Sequence, residues 1–123
     1  MKSKRTYADY LDDILDCAGK IIKFTEGMTY QQFQDDDKTI FAVVRAFEII
    51  GEAAKHIPRS VRDKYPYTDW RGMTGMRDKL IHEYFGVNLQ IIWEAIQNEL
   101  PELNISVRKV LESVDKQQKL NML

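Results

Sequence analysis

Apolar side chains recur at intervals of three and four along most of this chain, and no stretch alternates steadily between apolar and polar, so the pattern predicts helices and no strands. From about Tyr7 to Thr25 the stripe is Tyr10, Ile14, Cys17, Ile21 and Phe24, with Gly27 placed as a stop. A short polar connection, Thr29 to Phe33, leads to Asp35, Asp36 and Asp37, carboxylates suited to capping a helix and to its positive N-terminal end. The helix they open runs to about Ile57, before Pro58. It carries Ile40, Val43, Phe47, Ile50 and Ala54, with Phe41, Ile49 and Ala53 beside them. So wide an apolar surface predicts a central helix or one shared with a partner.

Pro58 and Pro66, with Tyr65 and Tyr67, predict an irregular connection with room for one helical turn. Thr68 or Asp69 can cap a third helix from Trp70 to Phe85, weakened at its start by Gly72 and Gly75 and closed by Gly86. Asn88 can cap a fourth that buries Leu89, Ile92, Trp93 and Ile96. Pro101 then either kinks it or begins a last helix through Leu103, Val107, Val110, Leu111 and Val114. The tail after about residue 116 is expected to fray. The reading is all-α: an up-down bundle of four to five helices forming one domain over residues 1–123.

A chain of 123 residues has room for one core and not two. Its longest apolar runs, such as Phe41 to Val44, fall far short of the roughly 20 residues of a membrane span, and no apolar signal core follows Lys2, Lys4 and Arg5. A cytoplasmic protein is the expectation. The lone Cys17, on an apolar stripe, reads as a buried reduced thiol. A formal net charge of −1 argues against gripping nucleic acid over the whole surface, so any such site must be local. Between Lys55 and Lys79 seven basic residues face three acidic ones. Charge alone reads that run as an ordinary solvated face, and motifs must decide.

The two histidines, His56 and His82, share no metal-ligand spacing with Cys17 or with paired carboxylates, and no metal or other cofactor is expected. Phosphate-cradling glycine loops and nucleophile elbows are absent as well. Acid–base chemistry with histidine and arginine is left. Residues 77–85 concentrate it: Arg77, His82 and Tyr84 fall within about two helical turns. An offset of five residues is about 140° on an ideal helix, so Arg77 and His82 do not share a face, whereas Asp78 lies one turn from His82 and Tyr84 about two turns from Arg77. One copy of the motif is therefore a poor site. Two copies about a twofold axis would bring two arginines and two histidines to one cleft. Glu52, polar on an apolar helix, can pair with Arg77 or Lys79 or simply face solvent. His56 suits a helix C-terminus, and Trp70 and Trp93 read as core anchors.

The motif Arg-x4-His-x-Tyr, here RDKLIHEY, stands among IIGEAAKHIP at Ile49 to Pro58, DWRGMTGMRDKLIHEYFGVNLQIIWE at Asp69 to Glu94 and ELPEL at Glu99 to Leu103. Together these blocks resemble the HEPN superfamily in its HepT toxin form, over most of the chain from Ile40 onward. The resemblance implies a homodimeric helical bundle and the toxin of a type VII-like toxin–antitoxin pair. It further implies a metal-independent endoribonuclease acting on cellular RNA and leaving a 2′,3′-cyclic phosphate. Arg77 and His82 would be catalytic, Asp78 and Glu52 supporting. A partner nucleotidyltransferase antitoxin, MntA-like, would transfer AMP to Tyr84, adding bulk and negative charge where RNA phosphate should sit. The other reading of the same motif is a non-catalytic helical module that binds such a nucleotidyltransferase and is modified by it.

Overall fold

Helix α1, Tyr7–Thr25, opens on a reciprocal cap. The Thr6 hydroxyl accepts the Asp9 N–H while the Asp9 carboxylate accepts the Thr6 N–H at 2.9 Å, satisfying two donors that the helix itself cannot. It gives way at Gly27, whose φ of +76° is left-handed backbone that glycine adopts without a steric penalty. The computed structural model of the chain describes residues 5–82 and 88–122, and all regular structure among them is helical. No described helix is long and apolar enough to cross a membrane.

The stretch expected to be a plain connection contains a short helix, α2, Tyr30–Gln34. A local and a distant cause combine: Thr29 and Gln32 form a second reciprocal cap, and Phe33 drops into the core with its ring 5.3 Å from that of Trp93. Asp36 then caps α3, Asp37–Lys55, by accepting the Thr39 N–H at 3.0 Å. That hydrogen bond holds the Asp36 carboxyl below its usual pKa range.

Helix α3 packs against both α1 and α5, the central position its two apolar stripes predict. Val43, Ala46, Phe47, Ile50, Ala53 and Ala54 are buried, while Phe41 remains 75% exposed. The proline-bounded connection holds α4, Arg59–Lys64. Asp69 caps α5, Trp70–His82, by accepting the Gly72 N–H at 2.9 Å, and the buried Trp70 ring donates its N–H to the Tyr65 carbonyl at 3.1 Å. The expected continuation of α5 to Phe85 lies outside the described residues.

Asn88 caps α6, Leu89–Glu94, accepting from Gln90 and Ile91. Pro101 stands in the first turn of a new helix, one of the two outcomes expected for it, but the chain reaches that helix without leaving helical geometry. A π-helical turn, Ala95–Glu99, joins α6 to α7, Leu100–Asn121, and the Leu100 N–H reaches back five residues to the Ala95 carbonyl. Proline has no N–H to give, and in a regular helix its ring meets the carbonyl four residues earlier; widening the preceding turn by one residue lets the chain stay helical. Helix α7 packs on α1 and stays helical to Asn121, past the point near residue 116 where the pattern leads one to expect fraying. The core runs through Leu11, Ile14 and Ile21 of α1, Val43 and Ile50 of α3, and Leu100, Val107 and Val110 of α7. Cys17 sits in it, and burial pushes its thiol pKa up.

The Asp36 cap gives a signed pH dependence. Because its native pKa is lowered, the added stability is complete above the usual carboxylate range and is lost as pH falls through the native value. In thermal melts from neutral to acid pH, Asp36→Asn should retain the cap and flatten the acid-side fall in Tm. Asp36→Ala should lower Tm throughout.

Candidate functional site

The site is built where α5 crosses α3. A Cβ on Gly51 would fall within 2.8 Å of the Met73 carbonyl and would overlap the Cβ of Arg77. Only a residue without a side chain lets α3 and α5 approach this closely, and the aliphatic stem of Arg77 occupies the space. The next residue of α3 takes the head group: Glu52 Oε2 lies 3.0 Å from Arg77 Nε. The Nε–H is not directed at that oxygen, so the contact is an ion pair rather than an aligned hydrogen bond. On its other edge Arg77 donates from Nη1 to Asp78 Oδ1 at 3.3 Å, and the same oxygen lies 3.6 Å from Lys55 Nζ. With 23% of its side chain exposed, Arg77 is held rather than waving in solvent.

Arg77 looks into a cleft of about 580 Å³ bounded by α1, α3 and α5. Helix α3 contributes Arg45, Glu48, Ile49, Glu52 and His56, α1 contributes Tyr10 and Asp13, and Ile81 lines the α5 side. Each arginine in the cleft has a carboxylate beside it. Arg5 is 2.6 Å from Asp13, Arg45 is 3.5 Å from Glu48, and Arg77 has Glu52. The basic run seen in the sequence is likewise partly neutralised by the pairs Arg59–Asp63 and Lys55–Asp78. The carboxylate of Glu52 has a second contact: its Oε1 is 3.7 Å from Nε2 of His56. The His56 ring lies flat on Tyr10, centroids 4.4 Å apart and planes 9° from parallel.

A second cleft of about 310 Å³ lies between α3, α5 and the start of α7. Phe47, Ile50, Met73, Met76 and Leu100 line it, with Asp69, Glu99 and Glu102 and, among the described residues, no basic one. Such a lining repels a polyanion, whereas the Arg77 cleft offers guanidinium groups.

Of the residues singled out from the sequence, Arg77, Asp78 and Glu52 come together, and of the two partners open to Glu52 the structure pairs it with Arg77. His82 is the last described residue of α5, on the same helix as Arg77; its side chain and Tyr84 lie outside the described residues. The Asp78 carboxylate faces Arg77 and Lys55. His56 does end α3, as the C-cap, and also faces the cleft. Gly51, Tyr10 and Arg5 were not singled out. A glycine inside an otherwise regular helix, at a cost of about 1 kcal/mol against alanine, was the signal for Gly51. Nothing local marks Tyr10, whose partner is 46 positions away. Among the described residues no group of His, Cys, Asp and Glu is arranged to hold a metal ion.

Comparison with known proteins bears on what the cleft does. A family model described as Ribonuclease HepT-like matches residues 14–110. A Methanocaldococcus jannaschii protein whose name proposes an RNase is 42% identical over 112 residues, 91% of this chain and 93% of its own length. A Thermococcus cleftensis protein named provisionally as ribonuclease HepT is 44% identical over 107 residues, 87% of this chain and 97% of its own. A Caldanaerobacter subterraneus protein whose name proposes an RNase is 44% identical over 108 residues, covering 88% and 96%. No solved structure matches.

The close approach at Gly51 is testable. Although alanine is the better helix former, Gly51→Ala should destabilise the fold by about 1–3 kcal/mol in denaturant titration, because α5 must move off α3. An unchanged or higher midpoint would show that the crossing does not depend on this glycine.

Proposed function

The chain belongs to the HepT-like ribonuclease family, and from that membership we propose that it is an endoribonuclease toxin that cuts cellular RNA without a metal. The observation that carries this reading is Arg77, a motif arginine seated on Gly51 and held by Glu52 at the edge of an open cleft. A guanidinium fixed in this way is a preorganised donor for phosphoryl oxygens, already charged and already oriented when substrate arrives.

The reaction would proceed by internal transfer. A base removes the proton of the ribose 2′-hydroxyl, the 2′-oxygen attacks phosphorus, and the bond to the 5′-oxygen breaks as an acid protonates that oxygen. The products are a 2′,3′-cyclic phosphate and a 5′-hydroxyl. His82 suits either proton-transfer role, since imidazole titrates near neutral pH. The five-residue offset from Arg77 makes a single motif insufficient, so the working unit in this reading is a homodimer in which two copies of His82 divide base and acid between them. Asp78 and Glu52 act as positioning residues through Arg77. Silencing would come from a nucleotidyltransferase antitoxin that transfers AMP to Tyr84, breaking the α–β phosphoanhydride of ATP and releasing pyrophosphate.

One observation favours a second reading. The carboxylates beside Arg5, Arg45 and Arg77 leave the cleft with little net charge for RNA, which suits a non-catalytic module that docks and is modified by a nucleotidyltransferase.

Induction of the chain alone separates the two. The ribonuclease reading predicts growth arrest with fragmented total RNA, with Arg77→Ala reducing RNA cleavage by about 10²-fold or more and His82→Ala by about 10²–10⁴-fold. Tyr84→Phe should still cut RNA but take up no labelled AMP from a cognate nucleotidyltransferase. Healthy growth with intact RNA at good expression would support the docking module instead.

A further inference from the structure

His56 is held on two sides while half of it stays open. Its ring lies parallel to Tyr10 at 4.4 Å, and its Nε2 edge faces Glu52 at 3.7 Å. Its backbone is fixed as the C-cap of α3, with the N–H donating to the Ala53 and Ala54 carbonyls. Tyr10 is itself braced: the Arg5 guanidinium sits 4.7 Å over its ring and is tied to Asp13 at 2.6 Å. Even with one face covered, the His56 side chain is 49% exposed, so its other face is open, and the residue lines the cleft that holds Arg77. A planar ring backed by another ring and presenting a bare face is the arrangement on which nucleobases stack.

We propose that the outer face of His56 is a stacking platform for a nucleobase of single-stranded RNA, adjacent to the phosphate that Arg77 holds. The inference rests on the ribonuclease reading for its choice of polymer. Its geometry rests on Glu52, whose two oxygens contact Arg77 and His56 separately. Imidazole and guanidinium therefore flank a single carboxylate, so that a nucleotide with its base on one would have its phosphate on the side of the other. The rim fits a base better than an apolar side chain, because Glu52 can accept from an exocyclic amine and Arg45 can donate to a ring nitrogen or carbonyl. A stacking contact also answers the electrostatics of the cleft. Where cations are matched by carboxylates, ring stacking supplies affinity that does not depend on net charge, and it tolerates any base because every base has a π-face.

The test uses the full chain and short single-stranded RNAs with 2′-O-methyl riboses, which cannot form the cyclic phosphate, carrying 2-aminopurine at successive positions. For the native protein, fluorescence should be quenched at one position. His56→Ala should abolish that quench and weaken binding roughly tenfold or more. His56→Phe, which keeps the stack on Tyr10 and removes the ring nitrogens, should retain both. Arg77→Ala should weaken binding without moving the quenched position. The proposal is overturned if the native protein quenches no position, if His56→Ala leaves the quench intact, or if His56→Phe loses it as completely as alanine does. Failure of the ribonuclease reading has a different signature: unmodified RNA stays uncut while the His56-dependent quench persists.

Discussion

At the crossing of α3 and α5 there is no room for a side chain on Gly51, and the stem of Arg77 fills the gap that its absence leaves. Most of the candidate site follows from this contact. Bringing the helices together places the guanidinium against the next residue of α3, Glu52, and Glu52 in turn reaches His56 one helical turn further on. Helix α1, packed on the opposite flank of α3, supplies the ring beneath His56. Three helices thus line one cleft. The apolar stripes of α3 make this possible, since only a helix buried on two sides can hold neighbours on both flanks of the same cleft.

The electrostatics set a second constraint. In the proposed ribonuclease, a substrate phosphate approaching Arg77 would meet a guanidinium already occupied by Glu52 on one edge and Asp78 on the other. Recognition by charge alone would be weak in a chain of net charge −1. Specific donors of fixed orientation, a stacking surface and a second copy of the motif each add affinity or rate without adding net charge. In the proposed ribonuclease these features do the recognising, and Glu52 keeps the largely buried arginine compensated until substrate takes its place.

Much of the fold was legible because its signals are local. Asp36 before α3 and Asn88 before α6 are caps that a sequence displays directly, and the three-and-four spacing of Ile14, Cys17 and Ile21 marks the inner face of α1. What was not legible depends on distant contacts. Phe33 turns a nominal connection into α2 because Trp93 is there to receive it. Pro101 suggested a kink or a restart, and α7 does start with it in the first turn, but the π turn that joins α7 to α6 had no local signal. For the site, Glu52 on the apolar α3 could pair with Arg77 or Lys79 or simply face solvent, and the choice of Arg77 required the crossing geometry that Gly51 sets. His56 read as a helix end, and its stack on Tyr10, from another helix, had no local signal.

If Arg77, held in this cleft, serves phosphoryl transfer by acid–base chemistry, the RNA ends carry the signature of that reaction. The most direct measurement is therefore the chemistry of the ends produced by purified protein in the presence of a chelator, with the Arg77→Ala protein alongside. Fragments bearing 2′,3′-cyclic phosphate and 5′-hydroxyl ends should form with the native chain and not with the variant. Ends carrying 5′-phosphate, cleavage that stops when metal is removed, or equal cleavage by both proteins would contradict this role for Arg77.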